Sequence, residues 1–353
     1  MNTRLPVRKA ILLRRTYEAQ AEGRRGKIRL DFNENTYGCS EAARKALARL
    51  SAKEIATYPE YARPTRKIAR YFRVNPEELL LTNGGDDALR VFFDTFVEPG
   101  SHILICEPTF PMYRYYAEIA GARVEALQYG LEMEFPLNEA LAALRKKPRL
   151  FFLANPNNPT GTTVTAAAVQ KLLRAATHTV VVLDEAYAEF AAETSVPWVR
   201  RYPHLFVART FSKAEGLAGL RLGAVIGRRG SLALVRRAMP PYPVNIAALA
   251  AGVAAIEERK TIARYVRDVK RLRTWLTHEL EQRNVHVFPS SANFLLADFG
   301  EAGPRFFRKL ARQGVLVRER SKDLGPGFAR ITIGTPAELR KLLKILGSGS
   351  QER

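Results

Sequence analysis

Short apolar runs punctuate the chain from residue 78 to residue 227, with helical segments between them. ELLLTNG, HILICEP, RLFFLANP, TVVVLDEAY, LFVARTFS and LGAVIG read as strands, most of them ended by Gly, Pro or Asn. Several are apolar throughout instead of alternating with polar residues, as strands covered on both faces are. The pattern predicts an α/β fold, a mostly parallel sheet sandwiched by helices. After a Pro-rich break, MPPYPVN at residues 239–245, two long amphipathic helical stretches follow. Then come VHVFPS, NFLLADF, a helix near residues 305–313, VLVRER, ARITIG and a last helix at residues 337–346, an α+β unit of its own. The expected organisation is an N-terminal arm (1–33), a large domain (34–245) and a smaller C-terminal domain (246–353), with the arm packed against the second unit or a partner chain.

The length of 353 residues fits two domains, and 46% hydrophobic with 26% charged residues is a globular balance. The apolar stretch near the N-terminus, residues 10–13, is too short for a signal peptide core or a membrane span, so a cytoplasmic protein with no membrane partner is expected. Cys39 and Cys106 stand far apart and the five histidines are scattered, so neither a disulfide framework nor a metal site is expected.

The formal charge of +21 invites a nucleic-acid reading. The basic residues are dispersed among acids and apolar positions, as in AIEERKTIARYVRDVKRLRTWLTHELEQR at residues 255–283, and no nucleic-acid-binding motif accompanies them. They read as solvated helix faces, with no nucleic-acid partner. The positive field favours anionic, for example phosphorylated, substrates.

In an open parallel sheet, ligands bind beyond the carboxyl ends of the strands. The polar clusters there are NGGDD (83–87), PTF (108–110), NPNNPTG (155–161), DEAY (184–187) and TFSK (210–213). Each alone has a plain structural explanation: a turn and helix cap, a loop, a solvated lysine. Their joint order and placement predict one shared crevice.

That order, completed by AGLRLG at residues 218–223, resembles the pyridoxal-phosphate aminotransferases of fold type I over nearly the whole chain. FNENTYG (32–38), TYPE (57–60), PTFPMYRYYAEIAGA (108–122), GVLVRERS and ARITIGT are similar to the histidinol-phosphate aminotransferase subgroup. The resemblance implies pyridoxal 5'-phosphate as cofactor and a large domain built on a sheet of the seven-stranded type. It implies that Lys213 forms the Schiff base and shuttles the proton, that Asp184 pairs with the pyridinium nitrogen, and that Tyr187 and Asn158 hold the phenolic oxygen. Phe110 would stack on the ring. Gly85, Asp86, Thr210, Ser212 and Arg221 would hold the phosphate, and Tyr58 would reach the phosphate of a neighbouring subunit, making a homodimer. For the substrate, the resemblance implies Arg330 on the α-carboxylate, Arg318 and Tyr17 on a phosphate, and Asn33 nearby.

Two positions depart from the family pattern. Glu215 stands where an aromatic is usual, leaving open whether it lies against Arg221 or faces the substrate, and Gly85 stands where Ser or Ala is frequent. The implied reaction moves an amino group from glutamate to imidazole-acetol phosphate, giving L-histidinol phosphate and 2-oxoglutarate. Alternatives on the same fold are an aromatic or other amino-acid aminotransferase, a threonine-phosphate decarboxylase, and a pyridoxal-phosphate-binding regulator. For the last, the sequence before Asp31 is too short to hold a DNA-binding domain.

Overall fold

The computed structural model describes residues 5–12 and 22–347. Its larger sheet has seven strands: β2 (Leu79–Thr82), β3 (His102–Glu107), β4 (Arg123–Gln128), β5 (Leu150–Ala154), β6 (Val180–Asp184), β7 (Leu205–Thr210) and β8 (Gly223–Gly227). Counting β1 (Ile28–Leu30) in the arm, their spatial order is β2-β8-β7-β6-β5-β3-β4. The run β4, β3, β5, β6, β7 is parallel throughout. β8 runs against both β7 and β2, so β2 points the same way as β7. Every residue of β2, β5, β7 and β8 is buried. Helices cover both faces, leaving one apolar cluster on each side of the sheet.

β4 is the strand that the apolar runs did not mark. It lies at the sheet edge and is only half-buried, so RVEALQ carries polar and apolar residues in turn.

The smaller sheet joins β9 (His286–Val287), β10 (Phe294–Asp298), β11 (Val315–Glu319) and β12 (Phe328–Thr332) in the order β1-β11-β12-β10-β9. The arm thus supplies an edge strand, β1, parallel to β11, through Ile28 opposite Val315 and Leu30 opposite Val317. The helix Ile246–Glu257, mostly Ala and Leu, buries Ala248, Leu249, Ala251 and Ala255 in the core beside the seven-stranded sheet. The next helix, Arg259–Glu281, buries Ile262, Tyr265, Val269, Leu272 and Leu276 with the five-stranded sheet. The packing therefore changes from one core to the other between these two helices. No helix among the described residues is long and apolar enough to cross a membrane.

Candidate active site

Because β2, β3, β5, β6 and β7 all point one way, the segments that follow them open on one edge of the sheet. A cavity of about 380 Å³ lies there, lined also by Phe32 and Asn33 of the arm and by Arg318, Arg320 and Arg330 of β11, its following turn and β12. Of the residues singled out in the sequence, Gly85, Asp86, Phe110, Asn158, Asp184, Tyr187, Thr210, Ser212, Lys213, Arg221, Arg318, Arg330 and Asn33 all line it. Tyr58 does not: it is 77% exposed and stacks on Tyr242 with ring centroids 4.3 Å apart. Tyr17 lies outside the described residues.

One end of the cavity is built for an anion. The helix Gly84–Phe96 starts there, and the first amides of a helix are unpaired and carry its positive dipole end. Thr210 Oγ1 donates to Ser212 Oγ at 3.0 Å, and the Ser212 amide donates to Thr210 Oγ1 at 3.2 Å. Arg221 sits in the left-handed region, φ 55°, and donates to Asp86 Oδ2 at 3.0 Å. Gly84 has φ 84°, and a Cβ on it would fall 2.5 Å from Arg221 Nη2, so only glycine lets the guanidinium lie against the helix start. At Gly85, by contrast, a Cβ would meet Thr210 at an ordinary 3.7 Å.

Asp184, the last residue of β6, is held from two directions. The Tyr113 hydroxyl donates to Oδ2 at 2.7 Å and the Ala186 amide donates to Oδ1 at 3.0 Å. Burial raises the Asp184 carboxyl above the usual carboxylate range, and those two hydrogen bonds pull partly the other way. Burial also raises the Tyr113 phenol well above its ordinary value, so it stays a donor. Tyr113 was not singled out in the sequence, although it lies three residues after Phe110. Its ring meets Phe110 edge-on at 5.9 Å and stacks on Phe152 at 5.1 Å.

Lys213 follows β7 and extends its amine to the Phe32 carbonyl, 3.1 Å away, with the Tyr187 ring centroid at 5.5 Å. Among the described residues it pairs with no carboxylate. Tyr187 Oη accepts from Asn33 Nδ2 at 2.9 Å. Asn33 adopts φ 56°, a conformation asparagine tolerates, and its amide and carbonyl bond Thr332 and Asn293 of the smaller unit.

Arg330 is buried, donating through Nη1 to Asn158 Oδ1 and through Nη2 to the Asp31 carbonyl at 2.5 Å. Its Nε is buried without a hydrogen-bond partner among the described residues. Arg318 stands directly across the strand pair from Arg330, and its guanidinium lies 5.9 Å from the Phe32 ring. Like charges facing each other across two strands are unfavourable. Burial, reinforced by Arg320 and Arg318, lowers the Arg330 guanidinium to about 10, still protonated at neutrality. A buried, unsatisfied donor among paired cations is what an anionic ligand would complete.

Glu215 packs with Tyr71, whose hydroxyl donates to Oε1 at 3.1 Å, while Arg221 is engaged by Asp86. It lies in a buried cluster with Arg209 and Glu189.

Residues 25–346 match the model of the family described as aminotransferase class I and II. The chain belongs to that family. A histidinol-phosphate aminotransferase of Geobacillus sp. (strain WCH70) is 34% identical over 92% of this aminotransferase and 91% of its own length. One from Symbiobacterium thermophilum is 37% identical over 90% and 89%. The crystal structure of histidinol-phosphate aminotransferase from Sinorhizobium meliloti in complex with pyridoxal-5'-phosphate superposes with a TM-score of 0.83. It is 24% identical and covers 91% of this chain and 90% of that one, a likeness of fold.

The lining suits pyridoxal 5'-phosphate. A helix start, two hydroxyls and a guanidinium over a glycine cradle answer a phosphate, the buried Asp184 carboxylate answers a ring cation, and Lys213, one residue after Ser212, offers an amine in the same cavity.

Proposed function

We propose that the protein is a pyridoxal-phosphate-dependent transaminase that exchanges the amino group of glutamate with imidazole-acetol phosphate, giving L-histidinol phosphate and 2-oxoglutarate. The observation that carries the substrate is the facing pair Arg318 and Arg330 in the cavity wall, and the relatives of the same name support it.

In this reading Gly85, Asp86, Thr210, Ser212 and Arg221 hold the cofactor phosphate, Phe110 covers one ring face, and Asn158 and Tyr187 orient the phenolic oxygen. Bound there, the cofactor supplies an electron sink for the negative charge that forms at the substrate Cα. Asp184, its two oxygens fixed by Tyr113 and the Ala186 amide, would hold a positive charge on the ring nitrogen. The Lys213 amine, bonded here to the Phe32 carbonyl, would take the proton from the substrate Cα and return it on the far side of the amino nitrogen, two bonds away. Arg330 fixes the α-carboxylate, with Nε available as a donor, and Arg318 takes the second anionic group, the substrate phosphate.

The test is Arg318→Ala in the two half-reactions, followed through the visible band of the bound cofactor. Loss of one charge-assisted contact, about 1.5–3 kcal/mol, predicts a 10- to 150-fold rise in KM for L-histidinol phosphate. The glutamate half-reaction should stay within about twofold, since Arg330 alone serves its α-carboxylate. An aromatic aminotransferase would show no response to this substitution, and bleaching by aromatic amino acids alone would overturn the substrate assignment.

The exposed Tyr58 and Tyr242 stack is read as part of a homodimer surface through which Tyr58 reaches the partner's phosphate site. Light scattering at micromolar concentration should give twice the chain mass. A monomer with full activity would remove that reading.

A further inference from the structure

Arg209, at the end of β7, lines the site cavity on one side and a second cavity of about 440 Å³ on the other. Three carboxylates surround this one guanidinium. Glu185, next to Asp184, accepts from Arg209 Nη1 at 2.9 Å, and also from Thr194 Oγ1 and the Ser195 amide, each at 2.5 Å. Glu189, in the short turn Ala188–Phe190, accepts from Arg209 Nη2 through Oε1. Glu215, from the loop that carries Lys213, accepts from the Tyr71 hydroxyl. The further charged neighbours are Arg259, whose guanidinium lies 5.4 Å from the Tyr71 ring, and Arg73 and Arg200, which line the second cavity with Glu189.

All four side chains of the cluster are buried: Arg209 7%, Glu185 2% and Glu215 3% exposed, Glu189 10% for its side chain. Glu185 is saturated with donors. The other two carboxylates each leave an oxygen, Glu189 Oε2 and Glu215 Oε2, buried without a hydrogen-bond partner among the described residues. Three carboxylates about one buried guanidinium, with two such oxygens left over, is an arrangement that one added proton relieves.

We propose that Glu215 keeps a proton at neutral pH, and that this proton seats the loop at residues 211–216 on which Lys213 stands. The loop is pinned on either side of Glu215. Asn35 Nδ2 donates to the Ala214 carbonyl at 3.2 Å, and Gly216, φ 72°, packs so closely on the Gly38 carbonyl that a Cβ there would approach it to 2.8 Å. Ionising Glu215 drives it away from Glu189 between those two fixed points, and Lys213 is two residues from it. Electrostatics agree: burial first, then the Glu189 charge, raise the Glu215 carboxyl from 4.5 to about 8. Burial likewise raises the Tyr71 phenol, which keeps its proton and remains the donor.

A carboxyl whose folded value lies above its unfolded value takes up a proton on folding between the two, so stability falls as pH rises through that window. Here the window runs from about pH 4.5 to about pH 8. The experiment is thermal unfolding of the full-length protein across that range for the wild type, Glu215→Gln and Glu189→Gln, with infrared spectra of the wild type at pH 7. The wild-type midpoint should decline with pH more steeply than that of Glu215→Gln, whose amide copies the protonated form. The wild-type spectrum should contain a buried protonated-carboxyl band that Glu215→Gln removes and that Glu189→Gln, by taking away the facing charge, weakens. Equal slopes in wild type and Glu215→Gln, or no such band in the wild type, would overturn the buried proton.

Only the link to Lys213 rests on the cofactor reading. It predicts an alkaline transition of the visible cofactor band in the wild type that Glu215→Gln abolishes. An unchanged transition in that variant overturns the link, whereas absence of any cofactor band in the wild type would instead indict the cofactor assignment.

Discussion

Lys213→Ala should lower turnover by about four orders of magnitude, because the substitution removes both the nucleophilic amine and the proton carrier. Structural loss should be small. The amine makes one hydrogen bond, to the Phe32 carbonyl, and pairs with no acid among the described residues, so no buried charge is stranded when it goes. The variant should therefore keep the wild-type thermal midpoint in the absence of cofactor to within a few degrees. A small primary amine added to the solution should restore part of the activity, since the cavity then has room for one at the vacated place. Single-turnover absorbance with L-histidinol phosphate is the measurement. A variant within tenfold of the wild-type rate would mean that another base moves the proton.

Asp184→Asn should reduce kcat by about two to three orders of magnitude, the range seen when one preorganised charge facing the reacting system is removed. An amide has one oxygen to offer, whereas Asp184 presents two acceptors to two donors, Tyr113 Oη and the Ala186 amide. One of those donors must then face an NH₂ group, so the substitution disturbs orientation as well as charge. Cofactor binding should weaken too, because the amide brings no negative charge to a ring cation. Cofactor titration followed by absorbance, together with kcat on saturated enzyme, separates the two effects. Unchanged kcat at saturation would show that Asp184 serves only to hold the cofactor.

Much of the fold was legible in the order of residues because its signals are local. A strand covered on both faces reads as an uninterrupted apolar run, and such runs mark β5, β6, β7 and β8 at the centre of the large sheet and the buried edge strand β2. The clusters after those strands could be placed on one crevice because parallel strands put their ends on one edge. β4 escaped because this edge strand, unlike the buried edge strand β2, is half-solvated and shows no such run. The helix Ile246–Glu257 reads as the start of a new unit after the Pro-rich break, yet its alanine-rich surface fits the grooves of the larger core.

The chain alone determined the alternation of strand and helix and the identity of most cavity-lining groups, whereas the close approach of Arg221 to Gly84 came from the fold. Tertiary structure decided which of them touch. Asn33 reaches Tyr187 across 154 residues, Arg330 reaches Asn158 across 172, and Tyr113 reaches Asp184 across 71. None of these pairs shares a helix face or a hairpin, so no periodicity announces them. They meet because strand order and the arm's pairing with β11 bring distant segments to one edge. The same holds for Glu215. Its charge is plain in the sequence, but whether that charge survives at neutral pH depends on two other glutamates and one arginine packed against it from separate elements, and on the water their packing excludes.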